Sequence, residues 1–173
     1  MSFIGASIQK RSLLLQKQNL EFQQMCKQNT QDYWTERAGD RESYLSRVDS
    51  AISNANTAKT NQKNRSAQKG DQYTDYIAKF KQTTDYKVMC DAYKNGATDV
   101  NNGLSSNDNF AKIDKGTDST YVKFKSESDR LELEIDALDS QLKIVNSQLD
   151  STGKLVENNI QQDCALWCVG GGG

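Results

Sequence analysis

Apolar residues recur along the C-terminal third of the chain at alternating spacings of four and three. The ten positions of this repeat are Phe124, Ser128, Leu131, Ile135, Leu138, Leu142, Val145, Leu149, Thr152 and Val156, and eight of them are apolar. Such a repeat keeps one seam of a helix against another helix along its whole length. About 40 residues at ~1.5 Å each give a rod ~60 Å long. The pattern predicts a packing surface and not a catalytic pocket.

The N-terminal segment, from about residue 3 to residue 33, has helical periodicity with apolar residues on two faces. The longer stripe lies within about 40° on a helical wheel and consists of Ile4, Ile8, Leu15, Phe22, Cys26 and Tyr33. A second, shorter stripe consists of Leu13 and Leu20. Two apolar faces on one helix indicate two neighbours, either within one bundle or in separate copies of the chain. We expect the longer stripe to be covered within one subunit and Leu13 and Leu20 to face outward, toward a further subunit.

Residues 40–69 predict a second helical segment whose apolar side chains shrink along the chain. The repeat consists of Tyr44, Val48, Ala51, Ala55 and Ala58, with Leu45 and Ile52 beside it. Small side chains at its end lead us to expect a lightly packed or frayed terminus. Gly39, between the first two segments, marks either a break or a soft point in the helix.

The middle of the chain combines a third helical segment, 71–94, with a polar connection, 95–119. A kink is expected at residues 83–85. The connection is rich in Gly, Asn, Ser and Asp, and its Asn-Gly pairs are typical of turns. Because 25 residues is long for an unstructured connection, we expect Val100, Leu104, Phe110 and Ile113 to anchor it, with a short helix. It is nevertheless predicted to be the most exposed region.

These elements predict an all-α protein, an elongated helical bundle or coiled coil with paired N- and C-terminal helices and a polar middle. The expected parts are an N-terminal helical arm (1–69), a middle helix and loop (70–118), a long C-terminal helix (119–169) and a disordered glycine tail (170–173). The final helix also carries Leu133, Ile144 and Leu155 at intervals of eleven residues, off the main seam. An interval of eleven returns to nearly the same face, so this line predicts a lateral contact with a further helix.

The composition suits helices that each bury only one stripe of side chains. Of 173 residues, 35% are hydrophobic, and there is no proline and no histidine; the mean hydropathy is -0.82. Absence of proline suits long helices, and absence of histidine removes the commonest general base and metal ligand. Residues 1–69 carry a net charge of +5 and residues 119–173 a net charge of -4. We therefore expect the ends to pair, and the unclustered basic residues argue against nucleic-acid binding.

No group of residues has the sequence spacing that a metal site or an active site requires. The four cysteines, Cys26, Cys90, Cys164 and Cys168, lack the paired spacing of zinc knuckles. Cys26 is expected to pack as a small hydrophobe, and the C-terminal pair is able to crosslink subunits only in an oxidising medium. Residues 99–110 depart from a calcium loop at its glycine and its final glutamate. We expect no catalytic residues, cofactor, metal or small-molecule substrate, and no enzymatic activity.

The N-terminus has no apolar stretch of the length a cleaved signal peptide requires, and no segment approaches the length of a membrane span. These features predict either a cytoplasmic protein or one exported without a cleaved signal. We expect the extracellular or cell-surface alternative, with the chain itself as the partner.

The layout resembles that of flagellins and of type III secretion filament and needle subunits. The resemblance rests on segments 4–33 and 124–160 and on the Gln-, Asn- and Ser-rich composition. It implies paired terminal helices that stack into a filament core while the middle projects. We therefore expect a self-assembling subunit of an extracellular filament or appendage; the alternative is an intracellular coiled-coil adaptor or secretion-associated protein. The expected self-association residues are Ile4, Ile8, Leu13, Leu15, Leu20, Phe22, Leu131, Ile135, Leu138, Leu142, Val145, Leu149 and Val156.

Overall fold

The structure, a computed structural model, describes residues 3–65 and 75–170, with the side chains of residues 4–65 and 75–162. All regular structure in these ranges is helical, which confirms the all-α prediction. The α-helices are α1 (Phe3–Asn64), α2 (Tyr76–Lys81), α3 (Thr84–Ala92), α4 (Ala97–Ser105) and α5 (Ser119–Gly170), and a 3-10 helix spans Lys115–Thr117. Helix α1 passes through Gly39 without a break.

The chain divides into two compact units. The two-helix unit combines Met1–Thr35 with Ser126–Gly173, and the central unit is Glu36–Lys125. Each long helix contributes residues to both units, so the units do not follow the predicted segments 1–69, 70–118 and 119–169. Helix α5 ends at Gly170, and the rest of the predicted glycine tail lies outside the described residues.

The two-helix unit pairs the first part of α1 with most of α5 in antiparallel fashion. Lys27 forms an ion pair with Glu134, and further along α1 the hydroxyl of Thr35 lies 2.8 Å from that of Ser128. Residue numbers on α5 therefore fall as those on α1 rise. The core of this unit consists of Leu13, Leu20, Leu138, Leu142 and Val145, with Leu149 packed against it. All ten positions of the predicted α5 seam are buried or half-buried, which confirms the seam.

The structure reverses the expected orientation of the two α1 stripes. Leu13 and Leu20, predicted to face outward, are 8% and 7% exposed. The longer stripe, predicted to be internal, is exposed at every position, including Cys26. Periodicity identifies residues that share a face but not the face that meets a neighbour. The face of α1 that packs against α5 is the one on which Lys27 and Thr35 form polar contacts with α5.

The central unit has its own core, to which α1 contributes three alanines together with Val48 and Ile52. Val48, Ala51, Ile52, Ala55 and Ala58 of α1 are buried. The other buried side chains of this core come from the short helices and are Phe80 (α2), Met89 (α3), Val100 and Leu104 (α4). The expectation of a frayed, lightly packed end at residues 57–64 is wrong where Ala58 and Lys59 are buried, because the small alanine side chains allow the short helices to approach closely.

The predicted polar connection contains α4 and contributes to this core. Val100 and Leu104 are buried, and Phe110 and Ile113 pack against the cluster, as the anchoring prediction required. A Cβ atom at Gly103 would overlap the ring of Phe110, so only glycine fits there. The predicted interruption at 83–85 is confirmed, since Thr83 caps the N-terminus of α3 and accepts a hydrogen bond from the Tyr86 N–H. Residues 95–119 are thus anchored by a few packed side chains, although most of their positions are exposed.

Candidate functional site

The longer stripe of α1 is an apolar feature that the two-helix unit leaves uncovered. We define the outward stripe as Ile4, Ile8, Leu15, Phe22, Cys26 and Tyr33. Ile4, Ile8, Leu15 and Phe22 are each at least 60% exposed. On a helical wheel the stripe lies about 160° from the buried positions Ala6, Leu13 and Leu20. The helix therefore presents its most apolar face directly away from α5.

The face around the outward stripe is nearly free of charge. Twelve residues of α1, between positions 4 and 33, fall on the third of the helix centred on the stripe, and all of them are exposed. Only Arg11 among them is charged; the others outside the stripe are Ser12, Gln18, Asn19, Asn29 and Thr30. An exposed helix face normally carries charged residues. Depletion of charge around exposed apolar side chains is typical of the centre of a protein interface.

Helix α5 has a sparser outward line of the same character. Leu133, Ile144 and Leu155 are 71%, 59% and 45% exposed, as their eleven-residue spacing off the seam predicted. On this face the positions between Leu133 and Leu155 are occupied by Ala, Ser and Gln, and the charged residues Asp129 and Arg130 precede Leu133. The two-helix unit thus has an apolar, weakly charged face on each of its helices.

A side groove of about 610 Å³ opens between the two helices of this unit. Its apolar walls are formed by Leu14 of α1 and by Leu149, Val156 and Ile160 of α5. Gly153 lies in the middle of the α5 wall, where a Cβ atom would meet nothing within 4 Å. The absence of a side chain at this position lets another backbone approach closely.

Charged residues of both signs border the side groove. They are Asp150 and Glu157 together with Lys10 and Lys154. Within the described residues, neither Asp150 nor Glu157 forms an ion pair. By contrast, Glu134 further along α5 is engaged, and its hydrogen bond from Lys27 lowers the pKa of the Glu134 carboxyl. The carboxylates at the groove are therefore available to a cation from outside the chain.

A second polar feature lies in the central unit, where α1 holds the segment after α4. Lys59 is 3% exposed and donates to the carbonyl of Gly103 at 2.5 Å and to that of Asp108. Its ammonium lies 5.1 Å from the centroid of the Phe110 ring. Burial lowers the pKa of Lys59, and the charge of Lys63 adds to this effect. All three contacts of the ammonium are with its own chain, which makes Lys59 a structural residue.

The polar side chains of α1 around Lys59 complete this attachment. Asn56 donates to the carbonyl of Phe110 at 3.0 Å and accepts from its N–H at 2.9 Å. Asp49 accepts from the N–H of Ile113 at 3.0 Å. These bonds satisfy backbone groups in a segment without regular structure. The bond between Asp49 and Ile113 lies at a cleft of about 330 Å³ in the central unit, which both residues line.

Metal or membrane sites gain no support from the described part of the chain. No group of three or more Cys, Asp or Glu side chains in it is arranged to hold a metal ion. Cys26 and Cys90 are free thiols, and the side chains of Cys164 and Cys168 lie outside the described residues. No helix in the described ranges has an apolar stretch that could cross a bilayer.

The chain matches no protein-family model, no curated protein and no solved structure. Function must therefore be inferred from the two-helix unit itself. There the structure brings together Leu13, Leu20, Leu138, Leu142, Val145 and Leu149, buries Leu131 and half-buries Ile135. It places Val156 in the side groove and Ile4, Ile8, Leu15 and Phe22 on the outward stripe. Sequence reasoning missed the groove, although Gly153 is visible in the sequence as a position at which another backbone is able to approach closely.

Proposed function

We propose that this chain is a structural protein that associates with further copies of itself through the two-helix unit, as the subunit of a filament or appendage. The observation that carries the proposal is the outward stripe, an exposed, almost uncharged apolar face opposite the seam with α5. An extracellular filament is the setting that the resemblance to flagellins and secretion filament subunits implies.

Exposed apolar residues are common singly, but a contiguous row of them needs a partner. The outward stripe contains more large apolar residues than the seam that α1 uses within the chain. Lys27 and Gln31 stand on the seam side, whereas Ile8, Leu15 and Phe22 stand on the outward side. Burying such residues is worth about 1.5–3 kcal/mol for each side chain. Association therefore stabilises α1 in a way that pairing with α5 does not.

The experiment compares Leu15→Asp with Gln28→Asp in the full chain. Both changes place one new carboxylate on an exposed position of α1, but only Leu15 belongs to the outward stripe. We expect the wild type and Gln28→Asp to form polymers visible by negative stain, and Leu15→Asp to remain small with unchanged helicity by circular dichroism. If all three proteins form one small closed oligomer, the result favours the coiled-coil adaptor over the filament subunit. If all three remain monomers at high concentration, the self-association proposal is wrong.

A further inference from the structure

We propose that the side groove of one copy receives the outward stripe of a second copy, so that the contact between subunits joins two different surfaces. This inference rests on the proposed function and specifies the interface. The outward stripe forms a ridge of exposed apolar side chains, and the side groove is a separate apolar surface on the same unit. On α1, Leu14 at the groove lies about 100° around the helix from the stripe, so one copy is able to use both surfaces at once.

The first part of the ridge has the same length as the α5 wall of the groove. The groove wall on α5 extends over twelve residues, from Leu149 to Ile160. The first part of the ridge extends from Ile4 to Leu15, also twelve residues. Both distances correspond to about 16 Å of helix. Gly153, near the middle of the wall, leaves room for the ridge side chains and for a close helix–helix approach.

The ridge face carries one positive charge, and the border of the groove carries two carboxylates that it can pair with as well as two lysines. Arg11 is the one charged residue on the ridge face, between Ile8 and Leu15 along the helix. Asp150 and Glu157 border the groove, and none of these three residues forms an ion pair within the described chain. Lys10 and Lys154 also border the groove, so the arginine is favoured only beside the two carboxylates. This placement fixes the register of the ridge in the groove.

A contact between two different surfaces has a consequence for assembly. It leaves one free ridge and one free groove on every dimer, so addition of subunits continues until a ring closes or a fibre grows. A contact between two ridges would be self-complementary and would stop at the dimer. The geometry of the interface therefore decides whether the protein polymerises.

The test uses one variant for each surface. Leu15→Asp blocks the ridge, and Gly153→Arg fills the groove, where a new side chain has open space. Gly153→Ala is the matched control, because it makes the same helix-stabilising replacement of glycine and leaves the groove open. Circular dichroism checks that all variants retain wild-type helicity. Sedimentation velocity of the full-length proteins is the readout.

We expect the wild type and Gly153→Ala to polymerise and each blocking variant alone to remain monomeric. An equimolar mixture of Leu15→Asp and Gly153→Arg is expected to form a species of twice the monomer mass and nothing larger, since one intact ridge meets one intact groove. If Gly153→Arg polymerises while Leu15→Asp does not, the proposed function stands and the groove is not the partner surface. If the mixture remains monomeric, the ridge-in-groove interface is also wrong. A wild type that never associates overturns both proposals.

The charge complementarity has its own test. Arg11→Glu is expected to weaken assembly roughly tenfold, because it brings a third carboxylate to the groove. Addition of Glu157→Arg in the same chain is expected to recover most of that loss. Unchanged assembly in Arg11→Glu, or no recovery in the double variant, would contradict the proposed register.

Discussion

Leu20 and Phe22 stand two residues apart on α1, yet Leu20 is 7% exposed and Phe22 is 61% exposed. Leu20 belongs to the cluster with Leu138 and Leu142 of α5, whereas Phe22 lies on the outward stripe. The helix therefore has two apolar faces, and its own chain covers the less apolar one. This relationship underlies the proposal that copies of the chain associate.

The seam of the two-helix unit makes a simple stability prediction. Leu142 is buried in the core of the two-helix unit, together with Leu13 and Val145. Leu142→Ala should lower the free energy of unfolding by about 2–3 kcal/mol. Leu133→Ala is the control on the same helix, at a position 71% exposed, and should change it by less than about 0.5 kcal/mol. Urea denaturation followed by circular dichroism measures both at a concentration below the onset of assembly. Equal effects would mean that the seam is not the stabilising contact.

Two glycines inside helices should respond in opposite directions to alanine. Gly39→Ala has open space for its Cβ and should stabilise the protein by about 0.5–1 kcal/mol, because alanine favours the helix. Gly103→Ala gains the same propensity in α4 but overlaps the Phe110 ring, and should cost about 1–3 kcal/mol overall. Midpoints of thermal unfolding rank the two variants against the wild type. A stabilising Gly103→Ala would contradict the packing of Phe110.

The ion pair between Arg41 and Asp118 predicts a dependence of stability on pH. Arg41 donates to both carboxylate oxygens of Asp118, at 3.0 and 2.6 Å, and this lowers the pKa of Asp118 below its ordinary value. The unfolded chain therefore binds the proton more readily, and stability falls as the pH falls. The contribution, on the order of 1 kcal/mol, is complete above about pH 5 and is lost below about pH 3.9, through the lower native pKa.

Asp118→Asn isolates this effect. The Asp118 side chain also accepts from the Tyr121 N–H at 2.7 Å, at the start of α5, and asparagine retains that capping role. We expect the variant to be less stable than the wild type at pH 7 and to approach it at about pH 2. Asp91→Asn, at an exposed position, is the control and should follow the wild-type curve. A constant difference between Asp118→Asn and the wild type at every pH would exclude the charge as its cause.

Lys59 should matter more than its neighbour Lys63. Lys59→Met leaves the carbonyls of Gly103 and Asp108 without their donor and should cost about 2 kcal/mol. Lys63 donates to the carbonyl of Asn107 at an exposed position, so Lys63→Met should cost about 0.5 kcal/mol or less. Amide hydrogen exchange of residues 103–110 should rise in Lys59→Met alone. Equal exchange in both variants would remove the structural role assigned to Lys59.

The sequence predicted the parts of the fold that depend on long, regular periodicity. The α5 repeat is an example, because eight apolar residues at regular spacing leave one possible seam. Val48 belongs to the shorter repeat in residues 40–69, with Ile52 beside it, and both are buried. Leu13 and Leu20 were placed on the wrong side, since the α1 seam also contains Lys27 and Gln31 and its apolar signal is short.

Other features depend on partners that are distant in sequence. Ala51, Ala55 and Ala58 resemble a weak helix end until Phe80 and Met89 pack against them. Burial of Lys59 requires two carbonyls more than forty residues away. The side groove likewise exists only where residues near Leu14 meet those near Gly153, so no local pattern could specify it. The outward stripe itself was found from the sequence, but its exposure was not.

The central claim is that the outward stripe of α1 is a contact between copies, and sedimentation velocity of the wild-type chain over a concentration series tests it most directly. Leu15→Asp is run in parallel at each concentration. We expect the wild-type sedimentation coefficient to rise with concentration above that of the 19.4 kDa monomer, while the coefficient of Leu15→Asp stays at the monomer value. Identical, concentration-independent monomer behaviour of both proteins would contradict the claim.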